Sequence, residues 1–224
     1  MSLILNIDTS GELAQVSFSK DGKVLHYLSN ESQKDHASFL QSGILQLTKI
    51  SGMALGDIDA VAVTAGPGSY TGLRVGMASA KGLCYALKKP LIALNTLEVL
   101  TASAILLFAA EKMPDRYCPM IDARRMEVFT AIYDKDLNPY VSPRPLILNE
   151  MSFEKDLSGN KILFFGSGSA KWKEVCNHPN AMFVEVPTLP EGMSICSNAM
   201  AQKKQFTDLA YSEPFYLKEF QTLT

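Results

Sequence analysis

The chain has 224 residues, 47% hydrophobic and 20% charged, an ordinary globular composition that needs no disulfide or metal to stabilise a core. The formal net charge of −2 argues against a protein that grips nucleic acid alone, because such binding depends on clustered lysine and arginine. The N-terminus lacks the pattern of a signal peptide, and the most apolar later run, 99–110, is too short to span a membrane. We therefore expect a cytoplasmic protein.

The first half of the chain predicts the element order β-β-β-α-β-α-β-α. Asp21-Gly22 between two apolar runs is typical of a hairpin. Apolar spacing of three and four residues predicts a helix that begins at His36, capped by Asp35. The predicted strands are Leu3–Ile7, a run through Leu13, Val16 and Phe18, then Lys23–Leu28, Asp59–Thr64 and Leu91–Leu94. The predicted helices are His36–Ile50, Leu73–Leu87 and Thr96–Ala110.

The second half repeats this order in a reduced form. Met113-Pro114-Asp115 interrupts the pattern, so we expect two domains, 1–112 and 113–224. Asp122 ends a strand as Asp8 does, and Gly166-Ser167-Gly168-Ser169 follows a β run as Gly66 does. The predicted elements are a strand ending at Asp122, the strands Met126–Tyr133, Pro143–Leu148, Ile162–Phe165 and Ala181–Val186, and the helices Ser152–Leu157, Lys171–Cys176 and Ser194–Lys204.

The run Gly66-Pro67-Gly68-Ser69-Tyr70-Thr71-Gly72 is a glycine-rich turn before a helix, and it leaves two functions open. Helix N-termini present unpaired N–H groups and partial positive charge, and glycine permits close approach, so the turn is a candidate phosphate or carboxylate cradle. The same pattern is equally typical of a tight turn that is needed only for packing. No Lys-Ser/Thr follows Gly72, so it is not a Walker A motif. The candidate anion-binding residues are Asp8, Thr9, Gly66, Gly68, Ser69, Thr71, Gly166 and Gly168.

A two-fold relation between the halves would place Asp8, Asp122 and both glycine turns around one cleft, the plan of a nucleotide-binding clamp. Residues for other chemistry are scarce. His26, His36 and His178 are far apart and form no metal-binding pair, so a metallopeptidase would lack its ligands. The cysteines form no Cys-x-x-Cys pair, and we expect buried reduced thiols and no metal site.

Several segments resemble the TsaB family of bacterial tRNA threonylcarbamoyladenosine biosynthesis proteins. The longest runs from Gly66 to Gly76, with Tyr70 and Val75 where the family usually has Phe and Ile. The resemblance spans nearly the whole chain, although 149–191 fits only loosely and Lys218 stands in place of the usual Arg. The other matching segments are Ile7-Asp8-Thr9-Ser10, His36, Asn95-Thr96-Leu97-Glu98, Ile121-Asp122-Ala123-Arg124-Arg125 and Pro214-Phe215-Tyr216-Leu217-Lys218.

This resemblance implies an α/β fold of two tandem actin-like (ribonuclease H-like) domains, each with a mixed sheet and the second reduced. It implies a non-catalytic subunit that binds TsaD, the paralogue that transfers threonylcarbamoyl to the adenosine beside the tRNA anticodon. TsaD carries the metal-binding histidines that this chain lacks. The ATPase TsaE joins the complex, and tRNA is contacted only indirectly. We expect no cofactor in the isolated chain. Two points stay open: whether ATP or ADP binds in the complex, and whether the chain without its partner is a monomer or a homodimer.

In the family the pair assembles through two helices, here about His36–Ile50 and Thr71–Leu87. The second contains Gly76 and Gly82, which cost about 1 kcal/mol each against alanine and are explained either by packing on the protein's own sheet or by a partner helix. The candidate interface residues are His36, Leu40, Ile44, Arg74, Gly76, Ser79, Ala80 and Leu83. Gly76→Leu and Leu40→Asp are expected to weaken partner binding in a chain that still folds.

Two other functions stay open. One is an ATP-dependent small-molecule kinase, and the other is a metallopeptidase, which the lack of paired histidines argues against.

Overall fold

A computed structural model describes residues 2–30, 36–108 and 114–217. Contacts within the chain divide it into two compact units, Met1–Val99 with Leu189–Phe215, and Leu100–Thr188 with Tyr216–Thr224. The predicted domains 1–112 and 113–224 differ from this division in two ways. The first unit ends earlier, inside a helix, and it includes a C-terminal segment that the sequence pattern assigns to the second half.

The first unit is built on a five-stranded mixed sheet. Its strands are Leu3–Asp8 (β1), Ala14–Lys20 (β2), Lys23–Asn30 (β3), Ala60–Gly66 (β4) and Leu91–Asn95 (β5), and its helices include His36–Ser51 (α1), Tyr70–Leu87 (α2) and the start of Thr96–Leu107 (α3). The strand order is β3-β2-β1-β4-β5. The first three strands form an antiparallel meander, whereas β1–β4 and β4–β5 are parallel pairs. Parallel pairs need long crossover connections, and α1 and α2 supply them.

The second unit repeats this topology with shorter helices. Its strands are Arg116–Asp122 (β6), Glu127–Tyr133 (β7), Pro139–Ile147 (β8), Ile162–Phe165 (β9) and Ala181–Phe183 (β10), and its helices are Glu154–Leu157 (α4) and Ser169–Val175 (α5). The order β10-β9-β6-β7-β8 is the first order read from the other edge. A single turn, α4, stands where the first unit has the 16 residues of α1.

One further helix, Pro190–Gln202 (α6), follows the second unit in sequence but packs on the first sheet, against β1, β2, β3 and β5. Thr207 continues the attachment, because its amide donates to Leu91 O at 2.8 Å and its Oγ1 accepts from Ala93 N at 3.1 Å. These contacts place the segment in the first unit. A periodicity argument along the chain cannot show such a return, since the contacts are distant in sequence.

The larger core lies on the face of the first sheet that α1 and α2 cover. Leu5 and Ile7 of β1 pair with Phe18 and Val16 of β2, and alternation along each strand puts all four side chains on this face. The helical residues that meet them are Leu40, Ile44 and Leu47 of α1, and Met77, Ala80 and Cys84 of α2. The apolar spacing that predicts α1 therefore describes its inward face.

Most predicted strands match the observed ones closely, but β8 begins at Pro139 instead of Pro143, and the helix ends agree less well. Helix α2 begins at Tyr70 instead of Leu73, because Ser69 caps it, and α6 begins at Pro190 instead of Ser194. The final strand, β10, ends at Phe183, before the predicted Val186. The Asp35 cap and the predicted end of α3 at Ala110 lie outside the described residues.

Glu98, near the start of α3, is a half-buried carboxylate that gives the first testable prediction. Burial raises its pKa above the ordinary value, and the charge of Lys203 opposes that rise only in part. Because the folded chain then binds this proton more tightly than the unfolded chain, stability falls as the pH rises from the unfolded pKa through the folded pKa. We expect Glu98→Gln to raise the Tm near neutral pH. At a pH of about 3, where both states hold the proton, thermal unfolding should show no difference. A gain of equal size at both pH values would contradict this cause.

Candidate functional site

Asp8 ends β1 as a buried carboxylate, just before the β1–β2 turn. Its side chain is 4% exposed, and its Oδ1 accepts hydrogen bonds from Ser10 N at 3.0 Å, Ser10 Oγ at 2.7 Å and Thr64 Oγ1 at 2.9 Å. Donors directed at a carboxylate stabilise its charge without a cation. The carboxylate therefore ties the β1–β2 turn to β4, and its Oδ1 is committed to local structure.

The glycine-rich turn and the start of α2 pack onto the same β1–β2 turn. A Cβ at Gly72 would collide with the carbonyl oxygen of Thr9, and one at Gly68 would collide with that of Ser10. Thr9 Oγ1 donates to Gly72 O at 2.7 Å, and a Cβ at Gly76 would overlap that same Thr9 oxygen. These three glycines therefore share one purpose, which is to let the backbone of α2 approach the end of β1.

Several amides at the start of α2 are already satisfied inside this packing. Ser69 Oγ accepts from Gly72 N at 3.2 Å, Ser69 O accepts from Leu73 N at 2.8 Å, and Ser69 N donates to Ser10 O at 2.7 Å. An anion cradle needs amides that point at the ligand. These three amides are bonded to other atoms of the chain and do not point at a ligand, so the geometry favours a packing turn over an anion cradle. The side chain of Thr71 is exposed.

The C-terminal segment crosses the chain at Gly66. Phe215 N donates to Ala65 O at 2.6 Å, and the Phe215 carbonyl oxygen lies 2.7 Å from the position of a Cβ on Gly66, whose φ is +121°. Lys81 of α2 holds the same segment by donating to two of its carbonyl oxygens at 3.2 and 3.0 Å. Gly66 thus meets both conditions that require glycine, a positive φ and a close backbone contact.

The second glycine turn repeats the arrangement in the second unit. Gly168 N donates to Met120 O at 3.0 Å, and Ser167 Oγ accepts from Asp122 N at 3.1 Å. A Cβ at Gly166, whose φ is +91°, would lie 2.5 Å from Met120 O. In both units the glycine turn is therefore folded onto the end of the unit's first strand, which explains why the landmarks recur in the sequence.

Asp122, the counterpart of Asp8, is exposed and ion-paired. Its Oδ1 lies 2.7 Å from Lys171 Nζ and accepts a hydrogen bond from Arg124 N. Burial alone would raise the pKa of Asp122, but the hydrogen bonds from Lys171 and Arg124 together lower it. Lys171 Nζ also lies 3.4 Å from Glu127 O, so it ties α5 to the β6–β7 turn.

We expect Lys171→Met to raise the pKa of Asp122 toward its ordinary value. A lowered folded-state pKa adds stability above the unfolded pKa, and this stability is lost as the pH falls through the folded pKa. Solvent screening keeps the effect on unfolding small, so the pKa itself is the quantity to measure, by NMR titration of the Asp122 carboxyl carbon. Lys173→Met removes the same charge from the same helix and is the control. An unchanged Asp122 pKa in the Lys171 variant would contradict this pairing.

Half of the predicted interface residues turn out to be inside the first unit. Leu40, Ile44 and Ala80 are at most 4% exposed and belong to the core, while Gly76 packs on Thr9. Their side chains offer a partner no surface, so their assignment to the interface is corrected. For the same reason, Gly76→Leu and Leu40→Asp are expected to destabilise the first unit as well, so they are poor tests of the interface.

The other predicted interface residues, His36, Arg74, Ser79 and Leu83, are partly or fully exposed. Gln41 Nε2 donates to Ser79 Oγ at 3.2 Å and links the two helices. We call their solvent side the outer α1–α2 surface, defined by Gln41, Leu45, Arg74, Ala78, Ser79, Gly82 and Tyr85.

The sequence prediction missed two large apolar residues on this surface, Leu45 at 58% exposure and Tyr85 at 82%. It also chose Gly76 over Gly82. At 3.6 residues per turn these two glycines lie about 120° apart around α2, so only one of them can face the sheet. The sequence therefore indicates that the two glycines lie on different faces of α2. It does not indicate which face packs on the sheet, because apolar and small residues occur all around the helix.

A metal centre is not assembled in the part of the chain that the structure describes, and two buried thiols are unreactive. Within those residues, no group of three His, Cys, Asp or Glu side chains is placed to hold a metal ion. Burial raises the pKa of the Cys84 thiol to about 11 and that of Cys118 to about 12, so both stay protonated and unreactive near neutral pH.

None of the described helices is long and apolar enough to cross a membrane.

Comparison with known sequences connects the chain to one pathway. The model of the TsaD family, tRNA N6-adenosine threonylcarbamoyltransferase, matches residues 28–219. The chain is 28% identical to the tRNA threonylcarbamoyladenosine biosynthesis protein TsaB of Escherichia coli K12, over 96% of this chain and 94% of that protein. It is 30% identical to TsaB of Bacillus subtilis 168, over 77% of this chain and 74% of that protein.

Solved structures agree with these relatives and confirm the predicted fold. YeaZ from Pseudomonas aeruginosa superposes with a TM-score of 0.82 at 26% identity, covering 97% of this chain and all of that one. The activator of 2-hydroxyisocaproyl-CoA dehydratase from Clostridium difficile, with a TM-score of 0.50 at 9% identity over 91% of this chain and 96% of that one, shows the fold alone. The α/β fold of two tandem actin-like domains, the second reduced, is therefore confirmed. By the 30% identity to TsaB of Bacillus subtilis, and by the match to the Escherichia coli protein over most of both chains, the chain belongs to the TsaB family and takes part in tRNA threonylcarbamoyladenosine biosynthesis.

Proposed function

We propose that this chain is a non-catalytic subunit that binds a TsaD-type paralogue and supports threonylcarbamoyl transfer to the adenosine next to the tRNA anticodon. The observation that carries the proposal is Gly82, in the middle of α2. It is exposed, and a Cβ placed on it would meet no atom within 4 Å. Glycine there costs about 1 kcal/mol against alanine, and no packing among the described residues offsets that cost. Close approach of a partner backbone would offset it.

The rest of the outer α1–α2 surface supports helix-to-helix docking. Ala78 lies one turn before Gly82 and Ala86 one turn after it, and both are exposed, so this stripe of α2 is low enough for another helix to approach. Tyr85 and Leu45 flank the stripe as large exposed side chains. Tyrosine is enriched among the residues that dominate binding energy at interfaces. A partner built on the same domain plan can offer the same helix pair, which favours a paralogue as the partner.

The hydrogen bonding of Asp8 and of the glycine-rich turn supports a non-catalytic role. The Asp8 carboxylate is buried and holds three hydrogen bonds, and three amides at the start of α2, those of Ser69, Gly72 and Leu73, are bonded within the chain. The buried thiols are held protonated. Catalytic groups are instead expected on the paralogue.

The remaining details of the assembly are part of the same proposal. We infer that a TsaE-type ATPase joins the pair, that tRNA is contacted mainly through the paralogue, and that ATP or ADP binds in the complex. Without its partner, the chain is expected to use the same outer α1–α2 surface in a homodimer, since a two-fold axis can pair identical helices.

Depletion of this chain tests the proposal in cells. We expect the threonylcarbamoyladenosine content of tRNA to fall, and we expect the tagged chain to recover a TsaD-type protein from the native lysate. Normal nucleoside levels after depletion, measured by mass spectrometry of digested tRNA, would overturn the function. Calorimetry with ATP and magnesium tests the alternative, a small-molecule kinase of the same fold. Tight binding and turnover of ATP by the isolated chain would favour that alternative.

A further inference from the structure

The second unit contains a cavity that the proposed function does not use. Its volume is about 250 Å³, and it opens where the single turn of α4 replaces the long α1 of the first unit. Trp172 and Leu157, which are core residues of this unit, form part of its lining. The shortened helix therefore leaves a cavity directly beside the hydrophobic core of this unit.

The lining combines this apolar floor with negative charge at the rim. Met151, which is 66% exposed, and Val175 add apolar surface, and the lining includes Glu150 and Glu154 but no lysine or arginine. Neither glutamate pairs with a cation in the described ranges. Unpaired carboxylates beside an apolar cavity attract a ligand that carries positive charge next to an apolar group.

Size and hydrogen bonding narrow the kind of ligand. Pockets for small organic ligands usually enclose about 300–1,000 Å³, so a cavity of this volume suits one inserted side chain better. Trp172 is 1% exposed, and its indole N–H has no hydrogen-bond partner among the residues that the structure describes. A buried donor without a partner is unfavourable, and a peptide segment can bring a carbonyl oxygen to relieve it. Flexible methionine at the rim allows the small rearrangement that such contact needs.

We propose that this cavity, bounded by α4, α5 and the segment to Pro179, docks a basic segment of a partner protein through one apolar anchor side chain. The site is distinct from the outer α1–α2 surface, because all of its lining residues belong to the second unit. The proposal is independent of which protein binds α1 and α2.

Trp172 is the chain's sole tryptophan, so its indole N–H gives a single NMR signal that reports on the cavity. We would titrate the ¹⁵N-labelled full chain with the peptide acetyl-Lys-Arg-Leu-Arg-Lys-amide. Two control peptides replace Leu by Gly, or all four basic residues by Glu. We expect saturable shifts of the indole signal with the first peptide and at least tenfold weaker binding of both controls. Equal binding of a control, or no saturable shift at millimolar peptide, would overturn the proposal.

Matched variants and a small amine complete the test. Glu154→Lys at the rim should weaken the peptide at least tenfold, whereas Glu174→Lys, the same charge change on α5 outside the lining, should leave the affinity unchanged. Both positions are exposed, and unchanged Tm values would confirm folding. Equal losses in the two variants would reduce the effect to net charge and overturn the site. If n-hexylamine binds as tightly as the peptide, the cavity belongs to a small cationic amphiphile and the protein-segment proposal fails.

Discussion

Gly72→Ala and Gly82→Ala, the same substitution in the same helix, are expected to change stability in opposite directions. At Gly72 the new methyl group collides with the carbonyl oxygen of Thr9, which is backbone and has no rotamer to change. The turn after β1 must move, and that turn also carries the hydrogen bonds of Asp8. We expect a loss of about 3 kcal/mol in the free energy of unfolding, the upper end of the usual range for overpacking, because the obstructing atom is backbone.

At Gly82 the methyl group enters open space, so only the helix preference changes. Alanine should stabilise the helix by about 0.5–1 kcal/mol. Urea unfolding followed by circular dichroism measures both changes on one scale. Equal stabilities for the two variants would show that α2 does not pack on the Thr9 turn as described.

Gly82→Arg is expected to remove partner binding from a chain that remains folded. The arginine side chain would fill the low stripe between Ala78 and Ala86 and prevent a partner helix from approaching. We expect the dissociation constant for the TsaD-type paralogue to rise at least about 100-fold, equivalent to about 2.8 kcal/mol. Isothermal titration calorimetry with the purified paralogue measures it.

Two control variants test whether the loss of binding depends on the size and the position of the new side chain. Gly82→Ala should weaken binding, but much less than Gly82→Arg, because a methyl group obstructs a partner backbone far less than an arginine side chain does. Gly159→Arg places the same side chain at an exposed glycine of the second unit, where a Cβ also meets nothing within 4 Å. It should bind like the wild type. Undiminished affinity of Gly82→Arg would move the interface elsewhere.

Most of the fold follows from local sequence signals. Asp21-Gly22, the apolar runs of β1, β4 and β9, and the spacing of α1 each specify an element through contacts near in sequence, and each element is observed. The return of α6 to the first sheet does not follow from them. Its contacts with β1 to β3 join residues 160 or more positions apart, and no turn or period encodes them.

The candidate site was harder to predict than the fold. The glycine turn was placed correctly, but two uses of glycine, at an anion or at a close contact, share the same sequence pattern. Only the positions of Thr9 and Ser10 show that Gly68, Gly72 and Gly76 serve contact. The predicted interface residues include both buried and exposed positions of α1 and α2. Apolar spacing along a helix is typical of a core-facing side and of a docking surface, so it cannot separate the two.

Reconstituted threonylcarbamoyl transfer tests most directly the claim that this chain binds its partner and adds no catalytic group. The assay supplies the purified paralogue, its threonylcarbamoyl donor and tRNA, and it compares wild type, Gly82→Arg and Asp8→Asn. Asparagine keeps an acceptor oxygen for Ser10 and Thr64 but removes the charge. We expect wild type and Asp8→Asn to support transfer equally and Gly82→Arg to support none. Loss of transfer by an Asp8→Asn chain that is folded and still binds the paralogue would instead make Asp8 catalytic and contradict the scaffold role.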